Sequence, residues 1–68
     1  MTDRWAKAQR QRWIAEMLAI YGFINREHLC RKFWISVPQA STDLREFQRR
    51  NPTAITYNAS TRRYEVPQ

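Results

Sequence analysis

Apolar residues recur at helical spacing through the first third of the chain. Ala6, Trp13, Ile14, Met17, Leu18 and Tyr21 fall on one side of a helix running from about Arg4 to Tyr21. Thr2 or Asp3 is placed to cap its start, and Gly22, the only glycine, to end it in a left-handed conformation. Phe23-Ile24 follows as a very short extended segment. Asn25 is the next N-cap and opens a helix of about Arg26 to Phe33, with Leu29 and Phe33 pointing inward. Glu27 in its first turn and Arg31 and Lys32 in its last each sit at the favourable end of the helix dipole. Trp34-Ile35 then makes a tight turn.

The third helix, over 36–50, has the best-marked start. Ser36 is a good N-cap, and Gln39 three residues on completes an S-x-x-Q capping box. Ile35 and Ala40 form a small hydrophobic staple, and Pro38 falls in the first turn, where its missing N–H costs nothing. Val37, Ala40, Leu44 and Phe47 make one apolar stripe. The opposite face carries Pro38, Gln39, Thr42, Arg45 and Arg49, with Ser41 at its border. Those groups can hydrogen-bond base edges or neutralise phosphates, as a recognition helix requires. Two helices joined by a tight turn give a helix-turn-helix.

Asn51-Pro52 closes the third helix. Ala54 to Tyr57 alternates as a strand, with Ile55 and Tyr57 on one face. Asn58 to Thr61 supplies turn residues. Arg62 to Val66 alternates again, with Tyr64 and Val66 on one face and Arg63 on the other. An isolated hairpin is marginal in water, so this one should pack on the helices, with Phe23-Ile24 available as a third strand. The expected fold is mainly α with a small β-hairpin (α+β). It is a single winged helix-turn-helix domain over 1–68, in the order α-β-α-α-β-β.

Composition narrows the partner. The chain has 68 residues, enough for one small core, and its 43% hydrophobic content argues against disorder. Twelve Lys and Arg against six Asp and Glu give a formal charge of +6, which favours a polyanion over a neutral partner. The bland alternative is a basic domain that is merely soluble. Arg4, Lys7, Arg10 and Arg12 on the first helix are either a solvated face or lie along a phosphate backbone. One cysteine leaves no internal disulfide and fits a reducing compartment. No apolar run approaches a membrane span and no signal peptide is visible, so the expected location is the cytoplasm, on the nucleoid, with no membrane partner.

Three stretches resemble a known family: Gly22-Phe23-Ile24-Asn25-Arg26, Ser36-x-Pro38-Gln39-Ala40-Ser41-x-Asp43-Leu44, and Tyr57-Asn58-x-Ser60-x-x-Arg63-Tyr64. Together they are similar to the N-terminal winged-helix domain of WYL-domain transcriptional regulators, of the kind that repress bacterial phage-defence operons. The resemblance spans nearly the whole chain. It implies sequence-specific binding of double-stranded DNA as a homodimer on an inverted repeat. It places Pro38, Gln39, Ser41 and Thr42 at the major groove and the wing over 58–63, with Arg62 and Arg63, beside the backbone or minor groove. The family's ligand-sensing and dimerisation segments have no counterpart here, so an excised domain or a stand-alone regulator is expected and ligand response does not carry over. Trp34 stands where such regulators usually have glycine. A left-handed tryptophan would cost on the order of 1–2 kcal/mol there, unless the second helix stops differently.

Catalytic and metal chemistry find little support. His28 and Cys30 are two apart on a helix, do not face one another and have no third ligand nearby. A surface or capping His28 and a buried structural Cys30 are expected. Asp43 and Glu46 read as salt-bridged support for their helix, or Asp43 as the partner of a neighbouring arginine. With one glycine there is no phosphate loop, so no enzyme activity, cofactor or metal is expected. Trp13 belongs to the core stripe, whereas Trp5 and Trp34 sit either at the core edge or on a self-association surface. The sequence thus favours a DNA-binding regulator, a repressor. A winged-helix protein-interaction module and a nonspecific nucleic-acid binder are the alternatives.

Overall fold

Three helices and three short strands carry out this pattern in the computed structural model of the protein, which describes residues 3–67. In chain order they are α1 (Asp3–Tyr21), β1 (Phe23–Ile24), α2 (Arg26–Phe33), α3 (Val37–Arg50), β2 (Thr56–Asn58) and β3 (Arg63–Glu65). The expected cap of α1, at Thr2 or the Asp3 side chain, lies outside the described residues. Ile14 and Leu18 of α1, Ile24 of β1, Leu29 of α2, Ala40, Leu44 and Phe47 of α3, and Ile55 ahead of β2 form one buried cluster. Trp13, Met17, Phe33 and Tyr64 pack around it.

Tyr21 and Val37, both expected on apolar helix faces, are exposed. Tyr21 is the last residue of α1, where Gly22 (φ 82°) already redirects the chain so that Ile24 takes the inner position; Tyr21 is left exposed. Val37 is the first residue of α3 and lies beyond the buried cluster, also exposed.

The strands form one antiparallel sheet in the order β1-β3-β2, so Phe23-Ile24 does supply the third strand. Ile24 and Tyr57 both pair with Tyr64, and Phe23 and Thr56 both pair with Glu65. Covering one edge of the hairpin removes the marginality of an isolated two-stranded ribbon. The strands are shorter than the alternation suggests. Residues 52–54 turn instead, closed by Ala54 N–H donating to the Asn51 carbonyl at 3.0 Å. Arg62 has φ 58° and so belongs to the loop, not to β3.

Both caps ahead of α2 and α3 form, in different ways. Asn25 Oδ1 accepts from His28 N at 3.1 Å while His28 Nδ1 accepts from Asn25 N at 3.2 Å, a reciprocal box closed by histidine. Ser36 Oγ accepts from Gln39 N at 3.3 Å, but the Gln39 side chain does not return to Ser36. Its Nε2 donates instead to Asp43 Oδ1 at 3.0 Å. The expected S-x-x-Q box is therefore only half made, because a carboxylate one turn ahead is the stronger acceptor.

That carboxylate joins α1 to α3. Asp43 is 1% exposed, and it accepts from Arg10 Nε at 2.6 Å and, more loosely, Arg10 Nη2 at 3.4 Å. Its backbone carbonyl accepts from Gln11 Nε2 at 2.9 Å. One turn on, Glu46 pairs with Lys7 at 2.6 Å and with Arg50 at 3.1 Å. Lys7 and Arg10 are therefore engaged by carboxylates of α3, Arg10 with 14% and Lys7 with 41% of its side chain exposed. They turn inward as clamps between helices.

Candidate nucleic-acid interface

The outer face of α3 follows from its inner one. With Ala40, Leu44 and Phe47 buried, Pro38, Thr42, Arg45 and Arg49 are left exposed, and Gln39 and Ser41 flank them half-buried. Gln39 and Thr42 border a cleft shared with Lys7 and Arg10 of α1. Ser41 and Arg45 border another on the wing side. The Thr42 hydroxyl donates back to the Pro38 carbonyl at 3.0 Å, so what it offers a partner is its methyl group and its oxygen lone pairs. Among the described residues neither Arg45 nor Arg49 has an ion-pair partner, and α3 presents them to solvent.

The wing is a tight loop organised by Asn58 and Glu65. Asn58 Oδ1 accepts from the N–H groups of Ser60 (2.9 Å) and Thr61 (3.3 Å), and the Asn58 carbonyl accepts from Arg62 N at 2.8 Å. Asx turns of this kind need no glycine. Glu65 accepts from Asn58 Nδ2, Thr61 Oγ1 and Arg63 Nε, at 3.1, 3.1 and 2.7 Å. The Arg63 bond, helped by those from Asn58 and Thr61, holds the Glu65 carboxyl below its ordinary range despite the opposing effect of desolvation. Arg63 also lies over the Phe23 ring, 4.1 Å from its centroid.

The two wing arginines are thus in unlike settings. Arg63 is half-buried and held between Glu65 and Phe23, whereas Arg62 is exposed at the loop's end.

Arg62 meets a residue the sequence did not single out. Arg26 opens α2, and along the chain it stood out only as part of the stretch over 22–26, with no role of its own. In the fold, Arg26, Arg45 and Arg62 line one cleft of about 150 Å³ with Ser41, Tyr57 and Tyr64. Among the described residues no carboxylate lines it, although Glu27 borders the adjoining cleft with Arg26 and Arg62. Three guanidinium groups from α2, α3 and the wing repel one another unless an anion lies between them. No signal within a single element could have revealed this, because the three arginines are brought together only by the packing of α2 and the wing beside α3.

The other candidates find structural roles. His28 is the α2 cap, and Cys30 packs against the core. Among the described residues, no three His, Cys, Asp or Glu side chains are grouped to hold a metal, and no helix is long and apolar enough to cross a membrane. Trp5 and Trp34 are 66% and 91% exposed, on the surface and not at the edge of the core.

The family model for the BrxR transcriptional regulator winged helix-turn-helix domain matches residues 7–68. The chain is also similar to the DNA-binding transcriptional repressor CapW of Escherichia coli (strain KTE188), with 43% identity over 61 residues, 90% of this chain. A repressor of the same name from Pseudomonas aeruginosa is 36% identical over 63 residues, 93% of this chain. The chain spans 20% and 21% of the lengths of these two relatives.

Proposed function

The chain belongs to the family of BrxR transcriptional regulator winged helix-turn-helix domains, and from that premise we propose that it is a sequence-specific, double-stranded DNA-binding repressor. It acts in the cytoplasm, as a homodimer on an inverted repeat. In this reading α3 enters the major groove. Pro38, Gln39, Ser41 and Thr42 lie near base edges, Arg45 reaches guanine or a phosphate, and Arg49 meets a phosphate where the helix rises out of the groove. The wing lies on the backbone or minor groove, with Arg62 making the contact and Arg63 bracing the loop through Glu65 while remaining close to the backbone. Similarity to repressors named as DNA-binding supports the assignment.

The observation that carries it is the cleft between recognition helix and wing, where Arg26, Arg45 and Arg62 converge without a lining carboxylate. A phosphodiester supplies the missing charge, and a duplex places one beside any helix seated in its major groove.

Gel shifts against duplex DNA, single-stranded DNA and structured RNA at several salt concentrations test this reading. Saturable preference for one duplex sequence is expected. Equal binding to all three would leave a nonspecific nucleic-acid binder. No binding even at low salt would favour a protein-interaction module, for which Trp34 is the most exposed anchor.

A further inference from the structure

We propose that Asp43 is a positioning residue for base recognition. It fixes the Gln39 amide in the one orientation that matches adenine. This inference rests on the DNA-binding reading above and adds to it a residue that itself touches no DNA.

An amide side chain can present its oxygen and nitrogen in either order, and the order decides which base it fits. Here the choice is removed. Asp43 is 1% exposed and its carboxylate can only accept, so Nε2 and not Oε1 of Gln39 must face it, at 3.0 Å. One N–H of the amide is spent on that bond. With the N–H anti to the carbonyl making that bond, the carbonyl and the remaining N–H stand side by side on the other edge, an acceptor next to a donor. Adenine offers the complement in the major groove, the N6 amino donor beside the N7 acceptor. Guanine offers two acceptors there, so one of them would meet the Gln39 carbonyl.

Asp43 is itself immobilised. Arg10 grips its carboxylate from α1, and Gln11 holds its backbone carbonyl. The amide is therefore ordered before DNA arrives, and binding need not supply that ordering. A carboxylate in the first turns of a DNA-reading helix would repel phosphate if exposed. Burial against Arg10 removes that conflict while keeping the acceptor.

Binding-site selection from randomised duplexes, with melting temperature followed in parallel, tests the idea. Gln39→Ala identifies the contacted base pair as the one whose preference relaxes. Wild-type protein should favour adenine there by at least about fivefold. Asn at position 43 can donate as well as accept, so Asp43→Asn should reduce that preference to about twofold or less. Arg10→Lys weakens the same ion pair but keeps a cation on the Asp43 carboxylate and leaves that carboxylate as an acceptor-only partner for Gln39. It should lower the melting temperature yet keep the adenine preference.

A second measurement needs no mutant. Replacing that adenine by purine, which lacks the N6 amino group, or by 7-deazaadenine, which lacks N7, should each weaken wild-type binding about tenfold. If Asp43→Asn does not fold, these two duplexes decide. The proposal is overturned if a folded Asp43→Asn keeps the adenine preference, if Arg10→Lys abolishes it equally, if another base is preferred, or if neither analogue matters. Wild-type protein that prefers no duplex sequence at all would instead overturn the sequence-specific reading on which the inference rests.

Discussion

Trp34 has φ 57° and ψ 46°, the left-handed region, and leaves 91% of its surface in solvent. It ends α2 with its N–H on the Cys30 carbonyl at 2.8 Å, a geometry that usually falls to glycine. A side chain with a Cβ costs on the order of 1–2 kcal/mol there, and so exposed a ring recovers little of it by burial. Glycine brings extra freedom to the unfolded chain, which offsets part of the relief. Trp34→Gly should therefore raise stability by about 1 kcal/mol, roughly 5 °C in melting temperature for a domain of this size. Trp34→Ala keeps the Cβ and should gain little. If alanine stabilises as much as glycine, the exposed ring and not the backbone is what costs. The sequence displayed this oddity, since the turn demands a residue that tryptophan is not. It hid Asp43, whose partner Arg10 lies 33 positions away. Read along the chain, Asp43 was a salt-bridged support of its helix or the partner of a neighbouring arginine, not of one on α1. Burial and a distant guanidinium, both tertiary facts, turned it into a strut.

The helices were the legible elements because each signal is local: Asn25 and Ser36 before periodic apolar residues, Gly22 and Asn51-Pro52 after them. The strands were less so. Alternation cannot distinguish a strand from the turn at 52–54, nor foresee that Arg62 becomes left-handed (φ 58°). The wing arginines also looked equivalent, and the structure separates them by giving Glu65 to Arg63. This separation sets expected outcomes for salt and sequence dependence. Arg62→Ala and Arg49→Ala should each weaken every duplex alike and flatten the log K against log salt slope by about one unit. Thr42→Ala should relax preference at a particular base pair, at about 1–3 kcal/mol of discrimination, without changing that slope. An unchanged slope for Arg62→Ala would mean that the wing does not touch the backbone. The wing should also respond to acid. The folded Glu65 carboxyl ionises below its ordinary value, so the ionised, bonded form stabilises the wing above that range. The contribution is lost as pH falls through the lowered value. Glu46, held low chiefly by its bond to Lys7, adds a loss of the same sign at the α1–α3 contact. Backbone amides of residues 58–65 should lose exchange protection on acidification below the carboxylate range in Glu65→Gln later than in wild type, or not at all, because glutamine does not titrate.

Across the whole molecule the net charge of +6 was legible, but its arrangement was not. Lys7, Arg10, Arg50 and Arg63 are engaged by Glu46, Asp43 and Glu65. Arg26, Arg45, Arg49 and Arg62 have no ion pair among the described residues and gather along α3 and the wing. Arg4, Arg12, Arg31 and Lys32 are likewise without an ion pair among the described residues and lie on α1 and α2, so the free charge is spread over the surface, with Arg26, Arg45 and Arg62 meeting at the cleft beside α3. One such module buries only roughly 600–1,000 Å² on DNA, which seldom suffices for high specificity alone. Two copies on an inverted repeat double the reading surface without a larger fold. Exposed apolar residues of α1 that pairing could use include Trp5 and Ile20, 66% and 70% exposed. Sedimentation of the protein free and bound to its selected duplex is the measurement. Two chains per duplex are expected, with half-sites separated by about one helical turn, roughly 34 Å, or a multiple of it. Inserting half a turn between the half-sites puts the second on the opposite side of the helix and should break the paired complex while leaving single occupancy. Trp5→Ala should leave half-site affinity unchanged and reduce pairing, because Trp5 lies on α1 and not on the DNA-reading face of α3. A strict one-to-one complex on the intact repeat, insensitive to spacing, would sink the dimer and leave the chain to recognise its site as a single winged helix.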